Sequence, residues 1–247
     1  MESRYSSSEN VNTKNERESK DISETDSEGK ALTPEQAEYF KDSLVRDDNG
    51  NLLKVYHGSG SEFTVFNHKF LNTHGNSHGR GFYFTEKKSL AEGYSEKGGQ
   101  LLEGYLNITK PLSEDKVTMK KADLIKLIKA TCKAEAQEYV ADGGYETVAE
   151  ALPDTWISNY VNTYSTNLND AYREVADIIY SGNDNDVEII SEITNAGAGN
   201  ENVLKLTKDV LGYDGVIYTA DDGTHEFVSL VSEQFKNADN VNPTGKP

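Results

Sequence analysis

Strand-like and helix-like patterns in this chain are sorted into blocks rather than interleaved. Short β-prone runs with one short helix between them occupy the first part, up to Lys110-Pro111. About a hundred residues of helical spacing follow, and β-prone runs return only at Gly215 to Thr219 and Glu226 to Val231. The simplest account is one sheet whose strands come from both ends of the chain, interrupted by a helical insertion. Helices clustered in one block make this an α+β architecture rather than an alternating α/β one.

Thr33-Pro34-Glu35-Gln36 combines an N-cap, a proline at the first helical position and a capping-box Gln, so a helix is predicted from there to about Ser43. Asp47-Asp48-Asn49-Gly50-Asn51 is a turn signal, and Leu52 to His57 reads as a strand beyond it. Phe63 to Phe66 is strand-like, Gly81 to Thr85 is a short aromatic strand, Glu86 to Tyr94 a helix, and Leu101 to Ile108 another strand. From Val117 to Ala141 the spacing of Leu124, Ile125, Leu127, Ile128 and Cys132 predicts a long amphipathic helix. Helical pieces are expected at 145–151, 154–164, 167–180, 185–194 and 200–211. Within the second, Trp156, Tyr160 and Tyr164 recur at i, i+4 and i+8, which on a helix is one face. That stripe reads as core joining the insertion to the sheet, or as a target-recognition surface.

Composition narrows the function classes. Residues 1–31 are acidic and polar with almost no large apolar side chains, so they are expected to be disordered. The net charge of −17 argues against non-specific binding to nucleic acid or an anionic membrane. Cys132 is the one cysteine, so no internal disulfide exists, and its helical apolar surroundings suggest a buried, inert thiol. No signal-peptide pattern and no run of about 18 apolar residues is found, so no membrane span is expected.

Three segments carry chemistry: Val55-Tyr56-His57-Gly58-Ser59 at a strand end; Gly79-Arg80-Gly81-Phe82-Tyr83-Phe84-Thr85 followed by a helix with Tyr94; and Glu226-Phe227-Val228-Ser229-Leu230 with Gln234 beyond. Singly each is weak, because a strand-end His, an aromatic strand Tyr or a strand-opening Glu is usually structural or solvated. In this order they resemble the ADP-ribosyltransferase fold of the His-Tyr-Glu type, shared by poly-ADP-ribose polymerases and diphtheria-like toxins. The chain is more closely similar to ADP-ribosyltransferase-like domains of phage head-associated and polyvalent mobile-element proteins, through Leu32-Thr-Pro-Glu-Gln, Val45 to Gly58, Gly212-Tyr-Asp-Gly-Val-Ile-Tyr and Glu233-Gln-Phe-Lys.

The resemblance implies a split mixed β-sheet core, with residues 32–112 as its first half, 113–205 as a helical insertion and 206–247 as its second half and tail. It implies NAD as co-substrate, no metal, and His57, Tyr83 and Glu226 as the catalytic set. His57, Gly58, Ser59, Arg80, Gly81, Tyr83, Ser89 and Tyr94 would bind NAD. The chemistry suits these residue types. Tyrosine faces attract the cationic nicotinamide ring. A glycine lets the backbone approach closely. A carboxylate stabilises the positive charge that builds on the ribose as the glycosidic bond breaks. Arg80 reads equally as a phosphate contact or a solvated loop residue. Where the polymerase branch carries a serine on the helix before the second tyrosine, this chain has Ala91, with Ser89 two positions away.

These readings lead to mono-ADP-ribosyl transfer to a macromolecular target, a protein, by a phage or mobile-element effector acting in the host cytoplasm or delivered with the particle. The alternatives are a catalytically silent NAD-binding or interaction module, and NAD hydrolysis. His74 and His78 stand at a metal-like separation, but a glycine-rich loop does not fix their geometry, and a loop over the NAD site is the preferred reading. His225 is expected to face away from Glu226.

Overall fold

The computed structural model describes residues 24–67, 78–95 and 98–243. Residues 1–23 of the polar N-terminal segment, and His74, lie outside the described residues. Residues 24–31, expected to be disordered, form part of the fold. Thr25 bridges to Ala31 and Asp26 to Leu52. The Asp26 carboxylate is fully buried and accepts from the Tyr105 hydroxyl at 2.7 Å. One buried charge-assisted hydrogen bond anchors a stretch too polar to build its own core.

Helix α1 (Pro34–Tyr39) opens with the expected capping box, Thr33 and Gln36 each satisfying the other's backbone N–H. It stops short of Ser43. The Arg46 guanidinium donates to the carbonyls of Phe40, Ser43 and Gly50 at 2.7–3.0 Å, so the backbone leaves the helix with its acceptors satisfied. Asp47 closes the expected turn by accepting from the N–H groups of Asn49 and Asn51, both at 2.9 Å.

The sheet comprises β1 (Val55–Ser59), β2 (Phe82–Thr85), β3 (Gln100–Leu106), β4 (Pro111–Leu112), β5 (Gly215–Thr219), β6 (His225–Ser229) and β7 (Phe235–Asn237). Its order is β4-β5-β6-β2-β1-β3-β7, antiparallel throughout except for β4 with β5. Strands from both ends of the chain are neighbours in one mixed sheet, with β2 beside β6. The two shortest strands, β4 and β7, escape sequence reading because two or three residues carry no alternation. Phe63 to Phe66 forms no strand. Its phenylalanines pack on the sheet instead, with the Phe66 ring 4.9 Å from that of His57.

Side-chain alternation divides the sheet into two faces. One carries Val55, Phe82, Phe84, Leu106 and Phe227 in an apolar cluster. The other is covered in part by α2 (Lys88–Tyr94) and in part by the helical block. That block holds α3 (Lys121–Ala141), α4 (Val148–Ala151), α5 (Leu168–Gly182), α6 (Asp186–Ile193) and α7 (Asn200–Leu206). It shares one core with the sheet, in which Leu124, Leu127, Ile128 and Ile190 join Val216, Val228 and Leu230.

Two buried carboxylates tie the chain where it crosses into the block. Asp214 accepts from the backbone of Thr109 and Lys110 at 2.9 Å, and Asp186 accepts from the backbone of Thr118 and Met119 at the same distance. Helix α5 buries Ala171, Tyr172, Val175, Ala176 and Ile179, a spacing that gives one apolar stripe.

The aromatic stripe expected on a helix over 154–164 is not formed. Only a short 3-10 turn spans Trp156–Asn159, and the chain then turns at Asn162, whose side-chain oxygen accepts from the N–H groups of Tyr164 and Ser165. Trp156 is buried and donates from its indole to Thr131, whereas Tyr164 is exposed. Cys132 is fully buried, and burial pushes its thiol up to about 12. No helix among the described residues is long and apolar enough to cross a membrane.

Candidate active site

Glu226 is the second residue of β6, opposite Thr85 of β2 on one side and Tyr218 of β5 on the other. In this register Glu226, Tyr218, Thr85 and Tyr83 share a face. Next to them lies a cleft of about 660 Å³ lined by Ser89 and Leu90 of α2, Tyr218, Glu226 and the turn residues Asp221 and Asp222. That volume is in the range of small-ligand sites. A smaller cleft of about 330 Å³, lined by Glu28, Lys54 and Tyr56, adjoins it through Lys87 and Thr224. The Glu226 side chain is 28 % exposed.

Tyr83 is fixed by its hydroxyl, which donates to the Gly79 carbonyl at 2.5 Å and accepts from the His78 N–H at 3.1 Å. Burial, with Glu114 and Glu226 nearby, pushes this phenol up to about 12, so it stays protonated. Gly81 has φ +151°, and a Cβ there would stand 2.5 Å from the Ser229 carbonyl oxygen. Only glycine lets the loop enter β2 this close to β6.

The structure does not bring His57 to Glu226. Tyr56 and Thr85 are register partners, so the next residue, His57, points to the opposite face. There its ring meets Phe63, Phe66 and Phe84, and its Nδ1 lies 2.6 Å from the Tyr83 carbonyl oxygen. A carbonyl only accepts, so Nδ1 carries the proton. Burial holds the imidazole below its ordinary pKa, in the neutral form. Gly58 faces α2, where a Cβ would stand 1.8 Å from the Ala91 carbonyl oxygen. The missing side chain at 58 is therefore required by helix packing, and Ala91 is buried beneath that contact.

The other expected contacts divide. Ser89 lines the Glu226 cleft. Tyr94 is 57 % exposed at the end of α2, with its Cβ beside Gly58. Ser59 ends β1, where its Oγ accepts from the Ser61 N–H. Arg80 donates to the Asn195 side chain of the helical block at 2.6 Å. Gln234 is buried and structural: its amide nitrogen donates to the Asn107 carbonyl, and its oxygen accepts from Ser229. His225 turns away from Glu226, stacking on Phe227 and pairing with Glu86.

Three residues not assigned to the site by sequence reasoning stand at Glu226. His78 stacks on Tyr218 with ring centroids 3.8 Å apart and places Nε2 3.9 Å from a Glu226 oxygen. Its Nδ1 is 3.0 Å from Glu114, whose carboxyl burial pushes up. Tyr218 was legible in principle, because a hairpin centred on the Asp221-Asp222-Gly223 turn sets it opposite Glu226. Glu114 left no local signal, since its contact with His78 is made only when the segment leading into the helical block folds against the sheet.

A family model described as ADP-ribosyltransferase in polyvalent proteins matches residues 47–245. No curated protein and no solved structure matches the chain.

Proposed function

The chain belongs to the ADP-ribosyltransferase family of polyvalent proteins, and from that membership we propose that it transfers single ADP-ribose units from NAD to a protein acceptor. The observation that carries this reading is Glu226, a partly exposed carboxylate beside a cleft lined also by Ser89 and Tyr218. Two adjoining clefts suit an extended dinucleotide, and the larger suits its nicotinamide riboside half.

In this reading the bond between ribose C1′ and the nicotinamide nitrogen breaks, and nicotinamide leaves with the bonding pair. The Glu226 carboxylate stabilises the positive charge that builds on the ribose. Of the aromatic residues, Tyr218 lines the larger cleft and meets the cationic nicotinamide ring, while Tyr83, held by its two hydrogen bonds on the same sheet face, and exposed Tyr94 stand outside the cleft lining. Ser89 supplies a hydroxyl in place of the serine that Ala91 lacks. His57 acts as a positioning residue, holding the Tyr83 backbone from the far side of the sheet. The family's occurrence in polyvalent proteins favours an effector of a phage or mobile element, and the net charge of −17 favours a protein over a nucleic-acid target. Because Glu226 is open to solvent, NAD hydrolysis accompanies transfer as a side reaction.

Incubation with NAD labelled in the adenylate half, with and without host lysate, tests the proposal. Label on protein that disappears in Glu226→Ala supports transfer. NAD binding without labelled protein or released nicotinamide overturns it.

A further inference from the structure

His78 is held from three sides. Its ring lies flat on Tyr218, with an interplanar angle of 21°. Its backbone N–H donates to the Tyr83 hydroxyl. Its Nδ1 meets Glu114 at 3.0 Å. The carboxylate of Glu114 accepts, so Nδ1 carries a proton and Nε2 is the nitrogen on the Glu226 side, 3.9 Å from a Glu226 oxygen. That separation is too long for a direct hydrogen bond. A nucleophile with two protons to donate, water or an amine, about 2.8 Å from each, fits between them. The orienting carboxylate, the imidazole and the reaction centre stand in the relation used wherever a carboxylate fixes a histidine's tautomer for proton transfer.

We infer that His78 is the general base for the incoming nucleophile and that Glu114 is its positioning residue. This rests on the ADP-ribosyl transfer reading above and adds the acceptor side of the reaction. As the C1′–N bond breaks and nicotinamide leaves with its electron pair, the nucleophile's heteroatom bonds to C1′ and its proton passes to Nε2 of His78. The imidazolium, with its second N–H on Glu114, then gives that proton to solvent. The groups facing His78 are Glu114 at the start of the insertion, Glu226 of β6, the Tyr83 hydroxyl of β2 and the Tyr218 ring of β5. The insertion therefore contributes a residue to the chemistry.

The test uses the full chain with NAD and water as the acceptor, following nicotinamide release across pH. His78→Ala is expected to lower kcat about 100-fold with little change in KM. It should also be rescued by added imidazole. Glu114→Gln is expected to lower kcat less, again with little change in KM. Circular dichroism confirms that each variant is folded. A wild type that releases nicotinamide while folded His78→Ala keeps its rate, or is not rescued by imidazole, overturns the role of His78 alone. A wild type that binds NAD and releases no nicotinamide overturns the transfer reading and this inference together.

Discussion

His57 and Glu226 face opposite sides of the same sheet. The His57 imidazole is bonded to the Tyr83 carbonyl among phenylalanines, while Glu226 opens onto the cleft beyond Tyr218. The histidine and the carboxylate are therefore separated in role. One secures the strand that carries Tyr83, and the other lines the cleft.

This separation makes His57 a stability element with a defined pH dependence. Its folded pKa lies below the ordinary 6.5 because burial disfavours the cation. The unfolded chain thus binds the proton more readily, so the stabilisation is present above pH 6.5 and is lost as pH falls below that value. His57→Phe keeps the ring packing but leaves the Tyr83 carbonyl without this donor, at a cost of about 1–3 kcal/mol. Thermal unfolding at pH 7.5 and 5 should show a lower Tm in the variant and a smaller loss between the two pH values.

Gly58→Ala should destabilise more than an ordinary surface change. The new Cβ would stand 1.8 Å from the Ala91 carbonyl oxygen, so α2 must move off β1. Overpacking of this kind costs about 1–3 kcal/mol, or roughly 2–4 °C of Tm for each kcal/mol in a chain of this size. An unchanged Tm would contradict the packing role assigned to this glycine.

Asp186 is fully buried, and the backbone N–H groups of Thr118 and Met119 both point at its carboxylate. Asp186→Ala leaves these donors unsatisfied, and a loss of about 2–4 kcal/mol is expected in denaturant unfolding. The same measurement on Asp170→Ala, an exposed residue paired with Arg173, should show about 0–1 kcal/mol.

Cys132 should resist thiol reagents in the native state and react once the chain is unfolded, since its thiol is buried and pushed up to about 12. Rapid native labelling would show that the helical block opens readily.

Much of the frame was legible because local signals and the final fold agree. The Thr33 capping box, the Asp47 turn, β1, β2, β5 and β6 each carry a signal within a few residues of themselves. Tyr164 misled because helical spacing of aromatics has no force once the Asn162 side chain captures the next backbone N–H groups. The site was only half legible. Glu226 and Tyr83 lie in recognisable strands. The inward turn of His57 depends on its register with β2, and the meeting of His78 with Glu114 depends on two segments far apart in the chain folding together.

The central claim is that Glu226 drives cleavage of NAD. Its most direct test is nicotinamide release by folded Glu226→Gln, which keeps the side chain's shape and removes its charge. The account predicts a fall in kcat of about 100- to 1,000-fold with NAD still bound. Release at the wild-type rate would contradict it.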